Sequence, residues 1–355
     1  GFAPAGVIGA ARGRVAALVA GHLNDDGRPD VGVAYSNLES KSQALAIYTN
    51  YTDTVASAPI RWDKTSDLSF SDNDTPLTLA LGDLNNDDAL DLAVGFGDRS
   101  GSAATRNRVL FNDGQARFSN GDVQFFGSGA DRTYAIALAD LDNDGRLDFI
   151  AANHQERHRI YFTQSSGPQL VFAGNPGGPR RTYLSLALGD LDGNGTLDMV
   201  AGADAGQLTY LHGDQSNFGV SATTYSLVLA DLNRDGALDI VTGNGSGRSN
   251  IIYYNDGQGS FPSTRTVRMG GAMSDTLSVA VGDLDRDGWP DIVAGSKKQS
   301  EIYLNDSQGG FPVTRTYAFG GPTDPTTSVV VGDLNRDGWP DIVVGNENAQ
   351  NAVYF

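Results

Sequence analysis

The chain has 355 residues with 45 glycines, 13 prolines and 19% charged residues, a composition suited to many short strands joined by turns. Its formal net charge of −18 argues against a nucleic-acid partner, and no run of apolar residues is long enough to cross a membrane as a helix. With no cysteine, neither a disulfide nor a thiolate metal site can hold the fold.

The opening GFAPAGVIG lacks the basic start and long apolar core of a signal peptide, so the chain reads as a mature domain or a piece cut from a longer one, and export has to be argued indirectly. It matches GGFPVT near the other end, a segment that leads into the outer strand of a repeat unit. Between the two, one acidic phrase recurs seven times, closing at Asp30, Asp91, Asp148, Asp198, Asp239, Asp291 and Asp341. An alternating apolar run such as TLSVAVGDL precedes each phrase, and a short apolar run such as DIVAGS follows it. An aromatic-rich strand, a Gly-containing turn and a fourth short strand complete the unit. The pattern predicts an all-β fold: a seven-bladed β-propeller with four-stranded antiparallel blades, forming a single domain over 1–355. The last unit stops at NAVYF, one strand short, and the N-terminal strand is expected to complete it and close the ring.

The phrase is a nine-residue loop, in most copies with side-chain oxygens at its first, third, fifth and ninth positions and a turn glycine at the sixth. Hard oxygen donors gathered around one point are what Ca²⁺ requires, and the carbonyl of the seventh residue can add another. Loop one (22–30) offers Asn24, Asp26, Asp30 and the Arg28 carbonyl, but has His22 at its first position, so it is expected to be the weakest site. Loop two (83–91) offers Asp83, Asn85, Asp87, Asp91 and the Ala89 carbonyl, with Asp88 in place of the glycine. Loop three (140–148) has four carboxylates, Asp140, Asp142, Asp144 and Asp148, with the Arg146 carbonyl. Loop four (190–198) has Asp190, Asp192, Asn194, Asp198 and the Thr196 carbonyl. Loop five (231–239) has Asp231, Asn233, Asp235, Asp239 and the Ala237 carbonyl. Loop six (283–291) again has four, Asp283, Asp285, Asp287 and Asp291, with the Trp289 carbonyl. Loop seven (333–341) has Asp333, Asn335, Asp337, Asp341 and the Trp339 carbonyl. Six to seven Ca²⁺ ions are expected. Seven would bring the net charge from −18 to −4, so the acidity reads as an unfilled metal complement.

At these loops the sequence resembles the FG-GAP/VCBS repeat family, which includes the seven-bladed propeller of integrin α subunits. The resemblance runs from Ala16 through Val344, although the FG and GAP words are reduced to AFGGP at 318–322. It implies loops that join the first two strands on one face of the disc, with ligands docking on the opposite face or its rim. The family spans adhesins, lectin-like binders and accessory domains of polysaccharide lyases, so it does not fix function.

On that opposite face the connecting segments bring Trp62, Arg106, Arg132, Tyr134, His154, Arg157, His158, Arg181 and Tyr183 as candidate ligand-binding residues. Arginine forks and aromatic platforms suit acidic glycans or a protein carboxylate. No nucleophile elbow, P-loop or zinc-protease motif is present, so catalysis has no strong motif behind it. Sequons occur at Asn50, Asn73, Asn194, Asn244 and Asn305. The leading reading is an extracellular, monomeric, calcium-stabilised binding or adhesion module for a glycan or protein. A polysaccharide lyase and an architectural domain of a larger surface protein are the alternatives.

Overall fold

The structure of the protein, a computed structural model, describes residues 4–9, 13–36, 44–51, 60–70, 74–97, 106–127, 131–164, 170–174, 181–204, 206–211, 214–219, 222–270 and 275–355. Among them the strands form seven four-stranded antiparallel sheets. Six take their strands in chain order, starting from the inner strands Arg14–Gly21, Thr75–Gly82, Thr133–Ala139, Tyr183–Gly189, Thr224–Ala230 and Thr276–Gly282. The other consists of Thr326–Gly332, Asp341–Asn346 and Asn351–Tyr354, with Pro4–Ile8 from the start of the chain as its outer strand. We number the sheets as blades one to seven by the order of their inner strands. Each inner strand packs on those of both neighbours, and the cycle closes where Thr326–Gly332 meets Arg14–Gly21. The fold is thus an all-β propeller of small antiparallel blades.

Why the second strands read as unbroken apolar runs follows from this arrangement. Asp291–Ser296 and Asp341–Asn346 are buried along their whole length, because neighbouring blades cover both faces. The blades approach closely at a glycine in these strands. A Cβ built on Gly295 would stand 2.7 Å from Thr326 Cγ2 of the next blade, and one on Gly345 would stand 2.4 Å from Val15 Cγ1. The junction between blades seven and one is therefore packed like the one before it.

Hydrogen bonds repeat the same message. The Val329 amide donates to Ser278 Oγ, and across the closure the Leu18 amide donates to Ser328 Oγ, both at 3.1 Å. Ile8, Val15, Val31, Leu334, Val343 and Val353 form one buried cluster that spans blades one and seven.

The last residue of every inner strand lies opposite the ninth residue of its loop: Gly21 with Asp30, Gly82 with Asp91, Ala139 with Asp148, Gly189 with Asp198, Ala230 with Asp239, Gly282 with Asp291 and Gly332 with Asp341. All the loops consequently sit at one end of the inner strands, on one face of the disc.

Candidate metal centre

Loop seven illustrates how the sequence builds its turn. Arg336 and Gly338 adopt positive φ values of 60° and 84°, which reverse the chain twice within three residues. Asp333 accepts the Asp337 and Gly338 amides at 3.1 and 2.9 Å. Asn335 Oδ1 accepts the Asp337 amide at 2.9 Å, and Asp337 Oδ1 accepts the Trp339 amide at 2.8 Å. Side chains from alternate positions thereby fold over one stretch of backbone. In loop two Asp88 takes the glycine's place at φ 69°, which its short polar side chain tolerates.

The ninth residue is the buried floor of each loop. Asp30, Asp91, Asp148, Asp239, Asp291 and Asp341 are fully buried, and Asp198 is almost so. In each, Oδ2 accepts the amide of the leucine at position two, as Asp291 does from Leu284 at 2.7 Å and Asp91 from Leu84 at 3.0 Å. In Asp30, Asp91, Asp148, Asp239 and Asp291, Oδ1 accepts an amide at or just after the end of the third strand, as Asp30 does from Asn50 at 2.8 Å and Asp291 from Asn305 at 2.8 Å. Burial pushes these carboxyls up, to about 6 for Asp30 and Asp291 and about 7 for Asp91, Asp239 and Asp341, with neighbouring loop carboxylates adding to the rise. A buried acid held by backbone donors yet pushed toward protonation lacks a positive charge beside it.

The first, third and ninth acids converge in three loops: Asp140, Asp142 and Asp148; Asp190, Asp192 and Asp198; Asp283, Asp285 and Asp291. In each group one oxygen per residue lies within 4.8 Å of the others. In loop six Asp283 Oδ1 is buried with no hydrogen-bond partner, as is Asp341 Oδ1 in loop seven. Orphaned carboxylate oxygens beside further acids fit a divalent cation, which would satisfy oxygens that no donor reaches.

Where position three is asparagine, the loop solves part of the repulsion itself. The amides of Asn85, Asn233 and Asn335 donate to Asp87, Asp235 and Asp337 at 2.8, 3.0 and 3.0 Å. Arginines also lean on the fifth and third positions: Arg146 on Asp144, Arg265 on Asp235 at 3.2 Å and Arg315 on Asp285 at 2.7 Å. In loop one Asn24 and Asp26 accept the Asp26 and Arg28 amides at 3.2 and 2.8 Å, while His22 is exposed. The position-seven residues are likewise fixed by their amides, as Ala89, Thr196, Ala237 and Trp289 are on the side chain two places before.

In four blades an asparagine at or just after the end of the third strand ties the loop to that of the preceding blade. Asn50, Asn112, Asn255 and Asn305 donate their side-chain amides to the carbonyls of Leu334, Leu23, Leu191 and Leu232 in the preceding blade, at 2.6, 2.8, 2.7 and 2.9 Å. Their own backbone amides bond the ninth acid of their own blade. In blade three Thr163 bonds Asp148 and the Leu147 carbonyl instead. The recurring Asn after an aromatic-rich strand (YTN, LFN, YYN, YLN) was the available signal for these clamps.

FG-GAP-like repeats match residues 97–151, 140–201, 231–294 and 283–344, more than half of the chain. The chain belongs to the FG-GAP-like repeat family. No curated protein sequence matches it. Among solved structures, BBS1N in a complex with ARL6DN is similar at TM-score 0.65 and 14% identity, over 100% of this chain and 95% of that one. A lectin of Agrocybe aegerita that recognises non-reducing terminal N-acetylglucosamine is similar at TM-score 0.54 and 16% identity, over 86% of this chain and 80% of that one.

On the opposite face of this FG-GAP-like propeller, the loop ends of blades three and four gather several of the expected residues. Tyr134 lies 6.1 Å from His154 between ring centroids, His154 Nδ1 contacts Thr182 Oγ1 at 2.9 Å, and Arg181 bridges Glu156 through the backbone. Burial and the nearby Arg132 push the His154 imidazole pKa down. Arg157 follows in the same loop, and Arg106 is exposed at the start of a blade-two strand.

Two expectations are corrected. His158 and Tyr183 are fully buried with their rings 4.0 Å apart, so they serve the core and not a ligand surface. Burial pushes His158 down to about 4. Trp62 opens the outer strand of blade one opposite Asn50, which puts it at the acidic-loop end, because that strand starts there and runs away from it. The sequon residues Asn50, Asn244 and Asn305 are fully buried and hydrogen-bonded, which removes them as glycosylation acceptors; Asn73 lies outside the described residues.

Proposed function

We propose that this chain is a calcium-stapled binding module that works outside the cell and recognises a glycan or protein on the face opposite its acidic loops. The observation that carries the metal half is the buried, partnerless Oδ1 of Asp283 beside Asp285 and Asp291. In each loop the side chains at positions one, three, five and nine would hold the ion, from Asn24, Asp26 and Asp30 in loop one to Asp333, Asn335, Asp337 and Asp341 in loop seven. The carbonyls of Arg28, Ala89, Arg146, Thr196, Ala237, Trp289 and Trp339 would complete it. The bound ion supplies positive charge that cancels the repulsion among the acids and keeps the buried ninth carboxylate ionised. Sites of this charge and exposure belong with extracellular modules of modest affinity, which supports a location where Ca²⁺ is abundant.

The recognition half rests on the grouping of Arg132, Tyr134, His154, Arg157 and Arg181 at the ends of blades three and four. Burial of His158 and Tyr183 takes two acid–base candidates out of reach of a polymer, which favours binding over lyase chemistry. A glycan array probed with Ca²⁺-loaded protein tests this half. Saturable binding that Arg157→Ala or Arg181→Ala weakens would support it, and silence across acidic and neutral glycans would oppose it.

A further inference from the structure

Positions three and five of the acidic loops follow a pairing rule. In loops two, five and seven, position three is an asparagine whose amide donates to the carboxylate at position five, as Asn335 does to Asp337 at 3.0 Å. In loop four the order is reversed, and Asn194 donates to Asp192. Loops three and six have a carboxylate at both positions, Asp142 with Asp144 and Asp285 with Asp287. In these two loops an arginine supplies the donor: Arg146 reaches Asp144, and Arg315 Nη2 lies 2.7 Å from Asp285 Oδ2.

Arg315 is placed by a short turn that blade five also has. The turns Ser263–Arg265 and Val313–Arg315 lead into the outer strands Thr266–Met269 and Thr316–Phe319. In both, the arginine amide donates to a proline carbonyl at 2.9 Å, Arg265 to Pro262 and Arg315 to Pro312. Arg265 thus holds the matching place beside loop five, which has Asn233 at position three. It meets Asp235 at 3.2 Å, an acid that Asn233 already serves at 3.0 Å. Only the turn of blade six faces an extra carboxylate. Elsewhere in loop six, Ser307 Oγ and the Trp289 amide donate to Asp287 at 2.6 and 2.9 Å, while Asp283 Oδ1 is buried with no donor.

We propose that Arg315 sets the Ca²⁺ affinity of loop six. It neutralises Asp285, the acid by which that loop exceeds loops five and seven, so the loop repels itself less without metal and binds Ca²⁺ more weakly than four unpaired acids would. Ligand charge tunes Ca²⁺ affinity, and a guanidinium in contact subtracts one unit from it. Arg146 does the same for Asp144 in loop three. This rests on the calcium reading above and names the residues that restrain it. An arginine that served only to orient Asp285 would act in the opposite sense, because loss of an outer contact weakens metal binding.

Melting temperatures of Arg315→Met, Arg146→Met and Arg265→Met, each in EDTA and in millimolar Ca²⁺, test it; methionine keeps the apolar stem and removes the charge. Arg315→Met is expected to melt lower than wild type in EDTA. Its rise on adding Ca²⁺ should exceed the wild-type rise by about 2 °C, the shift given by about fivefold tighter binding at one site when one unit charge is removed. Arg146→Met should behave alike, and Arg265→Met should change the rise less. In an Asp285→Asn background, Arg315→Met should leave the rise where Asp285→Asn alone puts it. An unchanged or smaller rise in folded Arg315→Met, an equal change in Arg265→Met, or an undiminished effect beside Asp285→Asn overturns the proposal. Arg146→Met decides the matter if Arg315→Met does not fold. A wild type that Ca²⁺ does not stabilise overturns the calcium reading and this inference with it. A normal wild-type rise that Arg315→Met leaves unmoved removes only the part given to the arginine.

Discussion

The side-chain amide of Asn50 in blade one donates to the carbonyl of Leu334 in blade seven at 2.6 Å. Leu334 in turn donates its amide to Asp341, while the amide of Asn50 bonds Asp30. Through Leu23, which donates to Asp30 and accepts from Asn112, the same chain of bonds reaches Asp91. Loops two, one and seven are thus joined floor to floor. Asn305, Leu232, Asn255 and Leu191 join loops six, five and four in the same way.

Removing the clamp at the ring closure should therefore cost as much as removing one inside the ring. Asn50→Ala and Asn305→Ala each leave a buried carbonyl unpaired, and each is expected to lower stability by about 1–3 kcal/mol in urea unfolding. A silent Asn50→Ala beside a costly Asn305→Ala would mean that blades one and seven are not joined as described.

The closure also has a steric test. A side chain on Gly345 would meet Val15 from a Cβ only 2.4 Å from its Cγ1, with the valine fixed between two blades. Gly345→Val should destabilise by roughly 1–3 kcal/mol or more, read as a lower melting temperature. Val15→Ala combined with it should restore part of the loss.

His158 makes stability depend on pH in a defined window. Its folded pKa, pushed down to about 4 by burial, lies below the ordinary value of 6.5. The unfolded chain then binds the extra proton, so this contribution is fully present above 6.5 and is lost as pH falls toward 4, by at most about 3 kcal/mol. Comparison of wild type with His158→Gln across that range checks the sign: the variant should lose less stability on acidification.

Loops that differ at position three should differ in their need for metal. The Asn335 amide already contacts Asp337 at 3.0 Å, whereas Asp285 and Asp287 repel, and burial with that repulsion pushes Asp285 up. Asp285→Asn is expected to raise the melting temperature measured in chelator while lowering it less, or not at all, in Ca²⁺. A fall in both conditions would contradict this account of loop six.

Much of this was legible in the residues. The spacing from the last inner-strand residue to the ninth acid is invariant, as from Gly332 to Asp341, so a turn of fixed geometry had to lie between them. Apolar runs such as DIVVGN carry their burial in their composition. Partnerships across blades were not legible, because they join residues as far apart as Asn50 and Leu334 with no local pattern. Asn50 and Asn305 therefore read as sequons although they are clamps. Trp62 was misplaced because only pairing with Asn50 fixes which end of its strand faces the acids. His158 and Tyr183 carry polar groups, and their burial depends on blade-to-blade packing.

Calorimetric titration of Ca²⁺ into chelator-stripped protein, with the melting temperature followed in parallel, bears most directly on the staple. Six to seven ions per chain are expected, with a large rise in melting temperature and with loop one filling last or not at all. Absence of binding heat, together with a melting curve identical in EDTA and in millimolar Ca²⁺, would contradict it.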